Sequence, residues 1–553
     1  MNPAKFFLLS AALLQAVFPA SAQTAFMDAA NMSLEEKVGQ VMICSFRGPA
    51  LSPVLKRLIE DLKIGGVVLY SSWGNIASPG QIKDLCNDIQ SLARSSGVNP
   101  LFIAVDQEGG IVSRIREGVT NFPGNMALGA AGDEALAAEA ASACARELFA
   151  LGINMNFAPV ADVNNNPLNP VIGVRSYGSS AALVSKLAAA AAAASFREGV
   201  IPAGKHFPGH GNTETDSHSG LPAVPSDRDA LEAVELLPFR ALISAGIPAI
   251  MTGHVVVPSV DGERPATLSP AVMSLLRKEM GFSGVIISDS MGMGALKAFG
   301  SVAEAAVEAF RSGVDILLFG ADKGFTEAEQ FVIYEELLRA CRNGVISEER
   351  LDGAVGRILA LKRIAQESFS GREKPAPSLP FKEDPSAAKI ASKSITLVRP
   401  WEEGAAAVKK GNPVPLLWPE NKLEAGRRLA ASCPIFTLYA VSGKPSPEEI
   451  FGLAGRLQAE PVIFAAEYDC WKDKGWLALL RELGEERLFI LSARTPYSLL
   501  SLPRCGGFFA LYSDEAATMD ALSEIFNGRA GPEGRLPVDL PGLYPRGWGE
   551  KLF

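Results

Sequence analysis

The sequence predicts a (β/α)8 barrel of the TIM type followed by a smaller α/β domain. Two observations carry this reading. Eight short β-rich runs alternate with helical stretches between residues 40 and 325, and polar clusters follow most of those runs. Continuously apolar strands separated by helices indicate a parallel sheet buried on both faces, and eight such units fit a closed barrel. A doubly wound open sheet is the competing arrangement, but it would gather a ligand site at a single switch point.

In order, the strand runs are residues 41–46, 66–70, 101–105, 153–163, 201–206, 249–257, 284–288 and 314–320. Helical segments between them include 79–95, 134–151, 181–198, 227–245 and 302–312. The alanine run 188–194 belongs to one of these, in keeping with alanine's helix propensity. A helix with Arg357, Lys362 and Arg363 closes the barrel region, assigned to residues 27–365. Residues 366–385 carry Pro375, Pro377, Pro380 and Pro385 among charges and read as a linker. Residues 386–553 then form the second domain, with strand runs at 394–398, 414–418, 435–441, 461–466, 487–492 and 507–511.

The first residues have the pattern of a secretory signal. Lys5 supplies the positive charge, residues 6–18 are mostly apolar, and Ala20-Ser21-Ala22 is a small-x-small cleavage site. A signal peptide over residues 1–22, cleaved near Ala22, predicts export to the periplasm or beyond; a short membrane anchor is the alternative. No stretch approaches the roughly 20 apolar residues of a transmembrane helix, so stable membrane insertion is not expected.

The composition, 48% hydrophobic and 20% charged, is that of an ordinary soluble globular protein. The formal charge of −9 becomes −10 without residues 1–22, which hold one lysine and no acid. That disfavours nucleic acid or an anionic membrane as the main partner. Seven scattered cysteines without CxxC spacing point neither to zinc nor to a disulfide framework.

Polar residues end five of the eight strand runs: Asp106-Gln107-Glu108, Asp162 to Asn166, Lys205-His206, His254 and Ser288-Asp289-Ser290. In a barrel such ends converge on one mouth, so they imply a shared pocket. Residues 205–218 hold three of the four histidines. Asp216 and His218 are spaced so that a carboxylate can orient an imidazole and raise its basicity, which suits a proton-shuttling acid–base; an Asx-type turn beside a surface histidine fits the same spacing. Asp289, between an apolar strand and the turn Met291-Gly292-Met293-Gly294, can be offered to a ligand or can cap a helix. Lys205 and His206 alternate in direction if both stay on the strand. Arg114, Arg175 and Asp106 can each serve a ligand or a structural ion pair. A zinc site on His206, His210 and His218 lacks HExxH-like spacing, and no metal or cofactor is expected.

The segment Lys205-His206-Phe207-Pro208-Gly209-His210-Gly211, with Asp216-Ser217-His218 and Leu221-Pro222, closely resembles the signature of the β-N-acetylglucosaminidase branch of glycoside hydrolase family 3. Gly65 to Tyr70, Val105 to Gly110 with Arg114, Asn156 to Val163, Val171 to Gly178 and Ser288-Asp289-Ser290 resemble its other blocks in order. The resemblance covers roughly residues 30–365, and is looser at Ser392 to Val398 and Gly534 to Val538. It implies a retaining exo-β-N-acetylglucosaminidase acting on cell-wall fragments or chitin-type oligosaccharides, with Asp289 as nucleophile and His218, oriented by Asp216, as acid–base. It also implies that Asp106, Arg114, Arg175, Lys205 and His206 grip the sugar, and that a carbohydrate is the partner. Two positions depart from the family's usual pattern: Ile111 replaces an arginine after Glu-Gly-Gly, and Ser290 replaces a second acid after the nucleophile. A phosphorylase of the same branch, a β-glucosidase of the wider family and a non-catalytic sugar-binding protein are the competing readings.

Overall fold

The computed structural model describes residues 27–370, 379–411 and 413–551. The signal segment 1–22 and the linker residues 371–378 lie outside the described residues.

Eight parallel strands close a barrel in sequence order. They are β1 (Met42–Cys44), β2 (Gly66–Val68), β3 (Phe102–Val105), β4 (Met155–Asn156), β5 (Ile201–Phe207), β6 (Ala249–Thr252), β7 (Val285–Ser290) and β8 (Ile316–Leu318). β8 returns to pair with β1, with Met42 opposite Leu317. The strands are buried along nearly their whole length, which is why they read as continuous apolar runs.

Helices Pro79–Ser95 and Val302–Ser312 fall where the sequence places them. Each start is specified locally: Ser78 caps the first ahead of Pro79, and Ser301 with Glu304 makes a capping box on the second. Elsewhere the strand and helix runs are too long. The fourth run forms a strand only at Met155–Asn156, with a single further bridge from Val160 to Lys205, because Pro159 has no N–H to donate. Its chain still follows β5, with Lys205 N–H donating to the Pro159 carbonyl at 3.1 Å. The sixth run leaves the barrel after Thr252, and Val256–Val257 pairs antiparallel with Asp261–Pro265 instead. The helix expected over 227–245 widens into a π-turn at Leu231–Glu235 and resumes as α-helix at Leu236–Ser244, whose Pro238 has no N–H to donate back into that turn. The barrel-closing helix Glu348–Ser370 runs past residue 366, where the linker was expected to begin, and the next helix starts at Pro385.

The second domain is a six-stranded sheet. In chain order its strands are β9 (Thr396–Arg399), β10 (Val414–Pro419), β11 (Phe436–Val441), β12 (Ile463–Glu467), β13 (Leu488–Ser492) and β14 (Gly507–Ala510). They lie in the spatial order β9-β14-β13-β12-β10-β11, with β9 antiparallel to β14 and the others parallel. One face is built on Trp401, Phe436, Phe464, Phe489, Phe509 and Phe526.

Loops of this domain touch the barrel near its mouth. The Tyr497 hydroxyl donates to the Asn164 carbonyl (3.0 Å), Lys472 Nζ donates to the Pro170 carbonyl (3.4 Å), and Arg116 pairs with Glu515 at 2.8 Å. No described helix is long and apolar enough to cross a membrane.

Asp315, ahead of β8, is fully buried and ties the strand carrying Asp289 to the closing helix. It accepts the Ile286 main-chain N–H (3.0 Å) and pairs with Arg277, Arg350 and Arg357. Removing one partner of a buried ionic cluster leaves the rest uncompensated, at about 3–5 kcal/mol. Asp315→Ala is therefore expected to lower the thermal unfolding midpoint clearly. An unchanged midpoint in calorimetry would contradict this role.

Candidate active site

The C-terminal strand ends open into a cleft of about 830 Å³ lined, among others, by Tyr70, Asp106, Glu108, Arg175, His218, Asp289 and Asp322. All eight site residues expected from sequence line it: Asp106, Arg114, Arg175, Lys205, His206, Asp216, His218 and Asp289. Lys205 and His206, adjacent on β5, both reach it. Pairing with β6 slips register between Gly204 and Phe207, so the strict alternation of a regular strand does not apply there.

One side is a network of paired charges. Lys205 Nζ lies 2.7 Å from both Asp106 and Glu108, and Arg175 holds Glu108 through Nε (2.9 Å) and an Nη (2.8 Å). Burial opposes a charge on Glu108, yet Arg175 and Lys205 keep its carboxyl far below the usual carboxylate range. Burial likewise opposes charge on Lys205, and Asp106 and Glu108 outweigh it, so the ammonium is kept. Arg114 approaches Asp106 at 3.5 Å and lies over the Tyr70 ring, while its buried Nε has no hydrogen-bond partner among the described residues. An orphaned buried donor is costly, and a ligand atom in the cleft would satisfy it.

The second group is built on Asp162, fully buried just beyond β4. It accepts His206 Nδ1–H at 2.7 Å and the main-chain N–H groups of His206 (3.2 Å) and His210 (2.7 Å). His206 Nε2 lies 3.3 Å from Arg175. His210 spends both ring nitrogens inside its own loop, on Thr213 (2.7 Å) and Ser217 (3.0 Å), and burial pushes it down to about 4. The three histidines of this segment thus engage three different partners through Nδ1. Gly211 is required by a close approach: a Cβ there would sit 1.9 Å from the Val163 carbonyl oxygen.

At the rim, Asp216 Oδ1 meets His218 Nδ1 at 2.7 Å and also accepts the His218 main-chain N–H at 2.9 Å. The His218 side chain is 60% exposed, so its Nε2 is open to the cleft and to solvent. The Asp216 hydrogen bond raises the imidazole above its ordinary value, against partial burial, and Asp289 adds to the rise. Asp289 ends β7, partly buried, and Oδ1 accepts the Ser290 main-chain N–H at 2.7 Å. Burial disfavours its charge, but His206, that N–H and Lys205 hold the carboxyl below its usual range. It is therefore ionised at neutral pH.

Four residues at or beside the cleft had no role assigned from sequence: Glu108, Asp162 and His254, which were counted only among the polar strand ends, and Asp322, which was not named. Glu108 stands two residues after Asp106, a spacing that puts both on one face of an extended chain. Asp322 follows β8 much as Asp289 ends β7, and that strand-end position was its available signal. His254 is fully buried, and its place among the polar strand ends was its signal.

The model of the glycosyl hydrolase family 3 N-terminal domain matches residues 33–361. The chain is 42% identical over 349 residues to beta-hexosaminidase A of Pseudoalteromonas piscicida, covering 59% of this chain but only 58% of that protein's length. It is 38% identical over 284 residues to a beta-hexosaminidase of Alkalilimnicola ehrlichii, covering 50% of this chain and 79% of that one. A solved glycoside hydrolase family 3 beta-N-acetylglucosaminidase from Paenibacillus sp. superimposes with a TM-score of 0.86 at 37% identity, over 92% of this chain and 99% of that chain.

The Asp216–His218 pair makes a measurable prediction. In NMR titration, His218 should lose its proton above the ordinary imidazole value of about 6.5. Asp216→Asn removes the charge that favours imidazolium, so the His218 midpoint should move to lower pH. An unmoved midpoint would refute the coupling.

Proposed function

Because the chain belongs to glycosyl hydrolase family 3, we propose that it is an exo-acting, retaining β-N-acetylglucosaminidase that removes terminal β-linked N-acetylglucosamine. The observation that carries this is one cleft combining an ionised carboxylate, Asp289, with a solvent-accessible His–Asp pair and a floor of paired charges. The names of the relatives, beta-hexosaminidase and beta-N-acetylglucosaminidase, support the sugar.

In the first step an Asp289 carboxylate oxygen bonds to the anomeric carbon as the glycosidic C–O bond breaks. His218, with Nδ1 committed to Asp216, gives its Nε2 proton to the departing oxygen. In the second step the neutral imidazole takes a proton from water, whose oxygen attacks the anomeric carbon and releases Asp289. A retaining pair is ordinarily two carboxylates, one with a raised pKa. Imidazole suits the same work because its pKa lies close to neutral pH.

Asp106, Arg114, Arg175, Lys205 and His206 hydrogen-bond the hydroxyls and N-acetyl group, and Glu108 holds Arg175 and Lys205 ready. A site built from buried, paired donors discriminates strongly against sugars lacking the matching groups. Export follows from the signal-like residues 1–22, and cell-wall fragments or chitin-type oligosaccharides are the substrates.

Initial rates on aryl β-N-acetylglucosaminide and aryl β-glucoside, each with and without phosphate, test the reading. Faster, phosphate-independent hydrolysis of the N-acetylglucosaminide is expected. Release of sugar 1-phosphate only when phosphate is present would make it a phosphorylase, and preference for glucose would move it to another branch. A mechanism-based fluorosugar should label Asp289. His218→Ala should slow substrates with poor leaving groups far more than activated aryl glycosides.

A further inference from the structure

Among the described residues Asp289 has one hydrogen bond, from the main-chain N–H of its own neighbour, Ser290. The direction of its carboxylate is therefore tied to the position of the Ser290 backbone. That residue is held from both sides of β7.

From the β6 side, His254 Nε2 lies 2.9 Å from the Ser290 carbonyl oxygen. A carbonyl can only accept, so Nε2 carries the proton. Burial lowers the His254 pKa and favours the neutral ring, which leaves Nδ1 as an acceptor. Thr267 Oγ1 lies 2.8 Å from that Nδ1, and Thr252 Oγ1 lies 2.8 Å from Thr267 Oγ1. The relay Thr252–Thr267–His254 thus ends on Ser290. From the β8 side, Ser290 Oγ accepts the Gly320 main-chain N–H (2.8 Å) and donates to the Asp322 carboxylate. Asp322 is packed close over the turn that follows: a Cβ at Gly292 would sit 2.7 Å from its Oδ2.

We infer that Ser290, clamped by His254 on one side and by Asp322 and Gly320 on the other, is the positioning residue that aims Asp289 at the anomeric carbon. This rests on the reading of Asp289 as nucleophile. It assigns work to three side chains that need not touch the sugar to do it. The position after the nucleophile, where the family often has an acid, carries here a hydroxyl whose acidic partner comes from the loop after β8. Burial, with the charge of Asp289 adding to it, pushes the Asp322 carboxyl up to about 6 despite the Ser290 hydroxyl. The two carboxylates are thereby differentiated, Asp289 held low and Asp322 high.

The test measures the rate at which a fluorosugar traps Asp289, alongside the affinity for free N-acetylglucosamine by calorimetry. Ser290→Ala and His254→Ala should each slow trapping by about tenfold or more, the scale of effect that follows slight misplacement of a reacting group. Affinity for the sugar should stay within about threefold, a split that general damage to the cleft would not give. His254→Gln, which restores an N–H of similar reach, should recover most of the trapping rate. Combining Asp322→Ala with Ser290→Ala should be no slower than Ser290→Ala alone if Asp322 acts through that hydroxyl.

Trapping at wild-type speed in Ser290→Ala, or sugar affinity lost in step with trapping, would overturn the clamp. A label on a residue other than Asp289 in the wild-type protein would remove the nucleophile reading beneath it, and is thus distinguishable from failure of the clamp alone.

Discussion

The mouth of the barrel depends on one carboxylate that never sees solvent. Asp162 is fully buried, and a buried charge is tolerable only when donors surround it. Its donors are the ring and backbone of His206 and the backbone of His210. The chain leaving β5 is therefore wrapped around Asp162, and that wrapping brings Lys205 and His206 to the cleft before releasing the chain toward Asp216 and His218. Asn169 completes the hold by donating to the carbonyls of His210 (2.8 Å) and Thr213 (3.0 Å). One acid beyond β4 thus organises both the binding side of the site and the start of the acid–base loop.

Two electrical environments follow. The floor pairs Asp106 and Glu108 with Arg114, Arg175 and Lys205, and Asp162 with His206, so its dipoles are set before any ligand arrives. Preorganised groups of this kind need little rearrangement as charge develops in a reaction. The rim is different: the His218 side chain is 60% exposed, and Asp216 fixes its orientation. Groups that hold are locked in the interior, and the group proposed to move protons stands where protons are exchanged.

Much of this was legible in the sequence because the relevant signals are local. Ser78-Pro79 and Ser301 with Glu304 specify helix starts by themselves, and apolar runs between helices specify a parallel barrel. Asp106, Lys205, His206 and Asp289 could be marked because they end apolar strand runs, Asp216 and His218 by their spacing, and Arg114 and Arg175, isolated near strand-end loops, gained a role only through the family resemblance. What was not legible depends on partners far away in the chain. Asp162 looks like any acid in a loop until His206 and His210 close over it, and His254 looks like a core histidine until the turn out of β6 aims it at Ser290. Strand lengths were overread where Pro159 breaks the fourth ladder and where the chain leaves the barrel after Thr252. The closing helix was underread because residues 366–370 contain no proline or glycine to stop it.

The loop of residues 164–175 is held by two domains at once. Tyr497 grips Asn164, whose side-chain oxygen accepts the Gly173 N–H at 3.2 Å, two residues before Arg175. Lys472 reaches Pro170 in the same loop. Arg175 therefore sits at the end of a loop fastened from both the barrel and the second domain. Among the described residues the second domain lines none of the cleft, yet its loops fasten the segment that carries a cleft arginine.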